Sequence, residues 1–253
     1  MANRPVANGS MWIVLEATDE SPAAFEPGHV LGLGLKLNDN TLMRHAYTVS
    51  RGEPSARRFE HLYRVVSGGR MSPLLAQTSP EDMVFFHGPF HSPIQQEIDA
   101  GAEHVLLVST GAGIGPLFGY AEKALAEGEA RPMTLYAGFR EESHTCLGPD
   151  LGRLANRHSN FNWHFTVTRP SETWEGFTGR VTEVVPEQIG LNDIMKYHFH
   201  LVGNGEMVRL MQRALNRAGV ALRRISIETY FNHYVEPSDD AVEQLATKFR
   251  GES

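Results

Sequence analysis

The fold is decided by the stretch Val105-Leu-Leu-Val-Ser-Thr-Gly-Ala-Gly-Ile-Gly-Pro116. Its four apolar residues are typical of a buried strand, and the glycine turn is followed by a helical pattern over residues 117–126. Glycine lets the backbone turn sharply and approach a ligand, while the next helix offers free amides and its positive dipole end to a phosphate. Pro116 stands where the Rossmann fingerprint has its third glycine. The stretch predicts a strand-turn-helix unit of a parallel sheet, although a tight turn without a ligand also fits.

Strands and helices alternate through the rest of this half. Apolar strands are expected at residues 133–136, 165–168 and 199–202, and a helix at 207–218. Near-continuous apolar strands between helices are the signature of a parallel sheet covered on both faces. A second glycine turn, Gly203-Asn-Gly-Glu-Met207, opens onto the edge where such sheets bind ligands. We predict a doubly wound α/β domain over residues 101–231.

The first hundred residues have a different rhythm. Short runs of β-branched and aromatic residues lie at 11–15, 30–37, 59–66 and 83–86, separated by turn residues. This spacing predicts an antiparallel Greek-key β-barrel over residues 1–100. Residues 232–253 remain as a carboxyl-terminal extension, with a helix start at Pro237-Ser-Asp-Asp240. Four apolar residues follow on one helical face, namely Val242, Leu245, Ala246 and Phe249.

Composition places the 253-residue chain among ordinary globular proteins, with 41% hydrophobic and 21% charged residues. The net charge of -7 disfavours nucleic acid as the main partner. No apolar run is long enough for membrane insertion, and no secretory leader is present, so we expect a cytoplasmic protein. Cys146 is the only cysteine, which excludes an intrachain disulfide and an iron–sulfur cluster held by this chain alone. Electrons passing through this protein need another carrier.

Three arginines follow strand ends of the predicted sheet, namely Arg140, Arg169 and Arg180. A planar guanidinium suits bidentate contact with phosphate and stacking on adenine. Each alone is better explained as a solvated surface residue. Together at one ligand edge they predict a site for a phosphate carried on a ribose.

Two motifs of the predicted barrel combine aromatic, hydroxyl and cationic groups. They are Arg44-His-Ala-Tyr-Thr-Val-Ser50 and Gly69-Arg-Met-Ser72. An aromatic face, hydroxyls and helix-terminal amides suit the ring and pyrophosphate of a dinucleotide. A half-buried strand and an ordinary helix cap explain the same residues.

In this order the motifs resemble those of the bacterial-type ferredoxin/flavodoxin–NADP(H) reductases, over about residues 10–231. His45-Ala-Tyr-Thr48 matches the flavin motif Arg-x-Tyr-Ser/Thr, and Gly69-Arg-Met-Ser72 matches the pyrophosphate motif Gly-x-x-Ser. The nucleotide-domain motifs match at Gly111 to Pro116, at Arg140, Arg169 and Thr178-Gly-Arg180, and at Gly203 to Met207. Glu228-Thr-Tyr-Phe231 stands at the acidic and aromatic end of this branch, and Phe25-Glu-Pro-Gly28 leads into the barrel.

The resemblance implies an FAD-binding barrel, an NADP(H)-binding α/β domain and a separate ferredoxin or flavodoxin as electron carrier. It implies catalytic roles for Thr48 near flavin N5, for Glu228 near the reacting rings and for Tyr230, with either Tyr230 or Phe231 as a stacking lid. The implied cofactor-binding residues are Arg44, His45, Ala46, Tyr47, Thr48, Gly69, Arg70, Met71, Ser72, Thr110, Gly111, Gly113, Pro116, Arg140, Arg169, Arg180, Gly203, Asn204, Met207, Tyr230 and Phe231. No metal site is expected, because Gly88-Pro89 breaks any helix between His87 and His91, and His198 with His200 has no acidic or cysteine partner nearby.

Several positions depart from the family pattern. His45 stands at the flavin-motif arginine and Arg44 lies one residue early, while Ala112, Val202 and Gly205 stand where the family has threonine, cysteine and proline. The chain also continues beyond Phe231. Our hypothesis is that the extension folds back as a helix near the cofactor cleft or a subunit partner; a frayed terminus is the alternative.

Other functions stay open at this point. The chain could be the reductase component of an oxygenase or an NAD(P)H-flavin reductase, although it lacks cluster cysteines and keeps the lid aromatic. It could also be a non-catalytic, flavin- or nucleotide-binding regulatory subunit. Basic residues that could dock an acidic carrier are Arg57, Arg58, Arg64, Arg223 and Arg224. The oligomeric state is open.

Overall fold

The computed structural model describes residues 2–18, 24–92, 94, 97–189 and 193–252. Seven strands of the amino-terminal half form two antiparallel sheets, and six strands of the carboxyl-terminal half form one parallel sheet. The predicted fold class, an antiparallel barrel followed by a doubly wound α/β domain, is confirmed.

The barrel sheets have the strand orders β1-β2-β6-β5 and β4-β3-β7. Their strands are β1 (Ala2–Ala7), β2 (Ser10–Glu16), β3 (Val30–Lys36), β4 (Leu42–Thr48), β5 (Arg51–Glu53), β6 (Arg58–Arg64) and β7 (Phe85–His87), with a short helix α1 (Met71–Ala76) after β6. On β3 the alternate residues Leu31, Leu33 and Leu35 lie in the barrel core, which also holds Phe25 and Phe59. The period of two that predicted the strand therefore selects the core face.

The parallel sheet has the order β11-β10-β9-β8-β12-β13. Its strands are β8 (His104–Thr110), β9 (Met133–Phe139), β10 (Phe161–Val167), β11 (Phe177–Thr178), β12 (Tyr197–Asn204) and β13 (Ile225–Phe231), and its helices are α2 (Ile114–Ala126), α3 (Gly148–Arg157), α4 (Val181–Ile189), α5 (Gly205–Arg217) and α6 (Asp239–Arg250). Alternate residues of β8 separate into two cores: Leu107 packs with α2 and α3, whereas Leu106 and Val108 pack with α4, α5 and α6. Helices thus cover both faces of the sheet.

The two halves pack through a glycine face of α2. A Cβ atom on Gly119 would lie 1.7 Å from the Ser50 carbonyl oxygen, and one on Gly115 would lie 2.4 Å from the Ser50 hydroxyl. Beside this contact, Arg51 of the barrel makes two hydrogen bonds of 2.7 and 2.9 Å to the Glu122 carboxylate. Trp12 of the barrel lies in the same apolar cluster as α2. This close packing fixes the cleft between the halves.

The carboxyl-terminal extension contains a capped helix, α6. The Ser238 hydroxyl accepts a hydrogen bond from the Ala241 amide, which caps α6. The apolar face predicted for this helix is buried, and Leu245, Ala246 and Phe249 pack in the core formed by α4 and α5. The extension is therefore a packed helix of the α/β half rather than a frayed terminus.

Within the described ranges, no helix combines the length and apolar character needed to cross a membrane.

Candidate functional site

Two neighbouring clefts lie at the junction of the barrel and the α/β half. The nucleotide cleft, of about 420 Å³, lies at the carboxyl ends of the parallel strands. The barrel cleft, of about 640 Å³, lies between β4, β6, α1 and the end of β13. Four residues line both clefts, namely Arg64, Ala112, Tyr230 and Phe231. Ligands in the two clefts would therefore approach each other at one shared wall.

The floor of the nucleotide cleft joins the two glycine turns. The Thr110 hydroxyl accepts a hydrogen bond of 2.9 Å from the Asn204 amide. Gly203 has φ +140°, and a Cβ atom there would lie 2.3 Å from Thr110 Oγ1. Only glycine can bring the turns this close.

Only some of the residues predicted from the first glycine turn line the nucleotide cleft. Thr110 and Gly111 line the nucleotide cleft, and Gly111 has φ +56° with open space on its side-chain position. Gly113 instead packs on β12, because its Cβ atom would lie 2.5 Å from the Val202 carbonyl oxygen. Pro116 is buried in the first turn of α2. Gly111 is thus the glycine at which a ligand could approach the backbone.

Two of the three predicted arginines line the nucleotide cleft. Arg140 and Arg180 both lie on its wall with exposed side chains. Arg169 is also exposed but lies outside this lining in the described part of the chain, although its neighbour Thr168 belongs to it. Asn204 and Met207, predicted from the second turn, line the same cleft. Of the three predicted arginines, Arg140 and Arg180 therefore belong to this cleft.

The barrel cleft gathers the motif residues of β4 and α1. His45, Ala46, Tyr47 and Thr48 line it, as do Gly69, Arg70, Met71 and Ser72. Among the described residues Arg44, earlier on the same strand, does not belong to this lining. The Ser72 hydroxyl accepts a hydrogen bond of 2.9 Å from the Val66 amide, so it also fixes the loop before α1.

Arg64 lines both clefts, although none of the sequence motifs includes it. It follows Leu62 by two residues on β6, and both side chains line the barrel cleft. The alternation of side chains along β6 does not single out Arg64, because Tyr63 on the opposite face lines the same cleft. Of the basic residues considered for carrier docking, Arg223 and Arg224 instead pair with Asp99 at 2.7 Å, at the amino edge of the sheet.

A buried carboxyl group lies where the two halves meet. The Thr48 hydroxyl donates a short hydrogen bond to Glu228 Oε1, and Glu228 is only 7% exposed. Burial raises the pKa of Glu228 to about 7, against the opposing effect of the Thr48 hydrogen bond. Burial, together with the neighbouring Glu228, also raises the pKa of Tyr230 well above its usual value.

These two groups have unused hydrogen-bonding capacity. Neither Glu228 Oε2 nor the Tyr230 hydroxyl has a hydrogen-bond partner among the described residues. Buried polar atoms are normally paired, and such atoms beside a cleft suit a polar ligand. The junction therefore fits a planar ligand with hydrogen-bonding edges, such as a flavin or nicotinamide ring.

The described residues form no comparable site for a metal ion. Across the described ranges, no group of three or more His, Cys, Asp and Glu residues could hold a metal ion. His198 and His200 are buried in β12, where the Asp99 amide donates to His198 and Ser226 lies against His200. Burial raises the pKa of Cys146 to about 12, so this thiol is a packed, unreactive group.

Comparison with known proteins assigns a domain type to each half. Residues 13–92 match the oxidoreductase FAD-binding domain, and residues 107–213 match the oxidoreductase NAD-binding domain. Ferredoxin--NADP reductase B of Sorangium cellulosum is 26% identical over 235 residues, which cover 91% of this chain and 95% of the relative. One component of the Na(+)-translocating NADH-quinone reductase of Neisseria meningitidis is 29% identical over 122 residues, or 47% of this chain and 29% of that protein.

Solved structures share the fold at low sequence identity. A ferredoxin NADP+ reductase from Neisseria gonorrhoeae, solved with bound FAD and NADP, is 18% identical with a TM-score of 0.72, covering 87% of this chain and 92% of that one. The ferredoxin reductase in carbazole 1,9a-dioxygenase is 22% identical with a TM-score of 0.76, covering 91% and 67%.

Proposed function

Because the chain belongs to the ferredoxin reductase family of FAD- and NAD-binding oxidoreductases, we propose that it transfers hydride between NADPH and FAD and passes single electrons to a ferredoxin or flavodoxin. The observation that carries this proposal is the wall of four residues common to the nucleotide and barrel clefts. Rings bound on the two sides of this wall would come into contact only after the side chain of Phe231 moves aside. Phe231 is 45% exposed. Bound FAD would supply the conversion between two-electron and one-electron transfer.

The residues of each cleft suit one half of this task. Residues 1–100 would hold FAD, with Tyr47 against the ring and with Arg70 and Ser72 at the pyrophosphate. Residues 101–231 would hold the nucleotide, with Gly111 and Gly203 at its diphosphate and Arg140 and Arg180 at the 2′-phosphate. Arg64 lines both clefts and adds a positive charge between them. We place this activity in the cytoplasm.

Glu228 and Thr48 would control a proton at the junction. A carboxyl group with a pKa of about 7 can be protonated or ionised near neutral pH, and Thr48 fixes its Oε1 atom. The Oε2 atom has no partner among the described residues, so it remains available to a ring edge. Thr48 and Glu228 would position the reacting rings and neutralise charge that develops on them. Neither residue would itself carry electrons.

The test is whether purified protein carries flavin that pyridine nucleotide can reduce. The expected protein is yellow, and anaerobic NADPH bleaches the visible absorption band of its oxidised flavin. Added ferredoxin or flavodoxin should then restore the band. Absence of bound flavin, or flavin that neither NADPH nor NADH bleaches, would overturn the proposal and favour a non-catalytic binding subunit.

A second candidate is the reductase of an oxygenase system. Its support is the fold shared with the ferredoxin reductase in carbazole 1,9a-dioxygenase. Cys146 is the only cysteine, so a cluster would have to reside in a separate protein. Faster reoxidation by an oxygenase-type ferredoxin than by flavodoxin, with NADH preferred over NADPH, would favour this candidate.

A further inference from the structure

The chain leaves the shared wall through a tightly packed turn. Gly205 begins α5, and a Cβ atom there would lie 2.6 Å from the Phe231 carbonyl oxygen and 2.4 Å from that of Asn232. Any side chain at residue 205 would therefore push this turn away. The glycine that replaces the family's proline is the residue that lets the chain continue past Phe231 in this position.

Asn232 joins the turn to the floor of the nucleotide cleft. It has φ +54°, and its side-chain amide donates a hydrogen bond of 3.1 Å to Asn204 Oδ1. Asn204 in turn donates its backbone amide to Thr110 at 2.9 Å. A continuous chain of hydrogen bonds thus runs from the extension to both glycine turns.

Three arginines of α5 hold the extension beyond Asn232. Arg209 Nε donates to the His233 carbonyl oxygen at 2.8 Å, and its Nη1 atom lies 3.0 Å from Glu236. Arg213 and Arg217, one and two helical turns further on, pair with Asp239 and Glu243. The spacing of four residues places all three on one face of α5. The extension is therefore anchored beside Phe231 as well as at α6.

We infer that residues 232–252 form a clamp that fixes the backbone of Phe231 and Asn204, with Asn232 and Arg209 as positioning residues for nucleotide binding. The inference rests on the proposed function. The backbone of Phe231 is held by β13 before it and by the clamp after it. Phe231 therefore makes room for a ring by rotating its side chain while its backbone stays in place. The clamp acts at the shared wall and at Asn204, and none of its hydrogen bonds or ion pairs involves Arg140 or Arg180, so its effect should be equal for NADPH and NADH.

Two variants release the clamp beside the lid and leave α6 in place. Asn232→Gly keeps the left-handed backbone conformation but removes the hydrogen bond to Asn204. Arg209→Ala removes the contacts with His233 and Glu236, and Arg209→Lys restores one donor. Arg217→Ala is the matched control, because it breaks the ion pairs with Asp239 and Glu243 on the same helix face, two turns further along α5 than Arg209.

We expect Asn232→Gly and Arg209→Ala to lower kcat/KM about tenfold for both nucleotides, mainly through KM. Arg209→Lys should recover part of this loss, and Arg217→Ala should keep kcat/KM close to that of the wild type. The visible circular dichroism of bound flavin should change in the first two variants only. Wild-type kinetics and dichroism in both would overturn the clamp while leaving the proposed function intact. A wild-type flavoprotein that neither nucleotide reduces would remove the proposed function, and the positioning roles with it.

Discussion

At the scale of single residues, the pair formed by Thr48 and Glu228 has the most direct chemical consequence. The two side chains come from opposite halves of the molecule, 180 positions apart in sequence. Their contact therefore depends on the domain interface, and it makes the Glu228 carboxyl group a reporter of that interface.

Glu228 predicts a specific dependence of stability on pH. Its pKa is raised from 4.5 to about 7 in the folded protein, so the folded state holds a proton that the unfolded state loses between these values. The contribution of Glu228 to the free energy of unfolding should fall as pH rises through this window, by on the order of 3 kcal/mol, whereas the buried histidines His61, His198 and His200, whose pKa values burial lowers, contribute in the opposite direction. Glu228→Gln should abolish that fall. Urea denaturation at the two ends of this window checks the prediction, and parallel curves for the variant and the wild type would contradict it.

The nucleotide-cleft arginines predict a discrimination between phosphates. Arg140→Ala and Arg180→Ala each remove a guanidinium from the cleft wall, so each should lower kcat/KM for NADPH roughly tenfold or more, with little change for NADH. Arg169→Ala should have a smaller effect, because this side chain lies outside the described lining. Initial rates with both nucleotides test the assignment, which fails if Arg169→Ala causes the largest loss of NADPH activity.

At the scale of elements, the extension shows how a sequence pattern becomes a packed helix. The predicted helix start at Pro237-Ser-Asp-Asp240 and the apolar spacing from Val242 to Phe249 both hold in the structure, where Ser238 is the cap. Phe249 is 1% exposed, whereas Tyr234 in the preceding turn is 95% exposed.

This contrast predicts the stability of two variants. Phe249→Ala should lower the free energy of unfolding by about 3–5 kcal/mol, because it leaves a cavity between α4, α5 and α6. Tyr234→Ala should change it by less than about 0.5 kcal/mol. Denaturant midpoints measure both. A small effect of Phe249→Ala would mean that α6 does not belong to this core.

Other elements were less accessible from the sequence. The β1 strand includes Arg4 and Pro5, which give no apolar alternation, and it forms only by pairing with β2 at the edge of a sheet. The β10 strand begins at Phe161, whereas residue 165 was predicted. The prediction started too late because the polar Asn162 and His164 interrupt the apolar pattern. The cap and spacing signals of α6 are local, whereas the contact of Gly205 with the turn at Asn232 depends on distant packing. Elements with local sequence signals could be predicted, and contacts between distant segments could not.

At the scale of the whole molecule, the function depends on how rigidly the two halves are joined. The glycine face of α2 lies directly on the barrel backbone at Ser50, and Arg51 binds Glu122 beside it. The two clefts meet at Tyr230 and Phe231. Their distance and orientation can stay constant only if this interface stays closed.

A pair of glycine substitutions in helices tests this interface. Gly119→Ala should destabilise the protein by several kcal/mol and weaken flavin binding, because its Cβ atom would lie 1.7 Å from the Ser50 carbonyl oxygen. A Cβ atom on Gly152 in α3 would meet no described atom within 4 Å, so Gly152→Ala should stabilise the protein by about 0.5–1 kcal/mol. Thermal unfolding and flavin retention report both effects. Equal stability of the two variants would contradict the packing described here.

The proposed function requires that flavin be the only redox centre of this chain, between a hydride donor and a one-electron carrier. The decisive quantity is the number of carrier molecules reduced per NADPH consumed, under anaerobic conditions with catalytic amounts of the flavoprotein. We expect two reduced ferredoxin or flavodoxin molecules for each NADPH, since a hydride carries two electrons. Oxidation of NADPH without carrier reduction, or no oxidation of NADPH at all, would show that the proposed function is wrong.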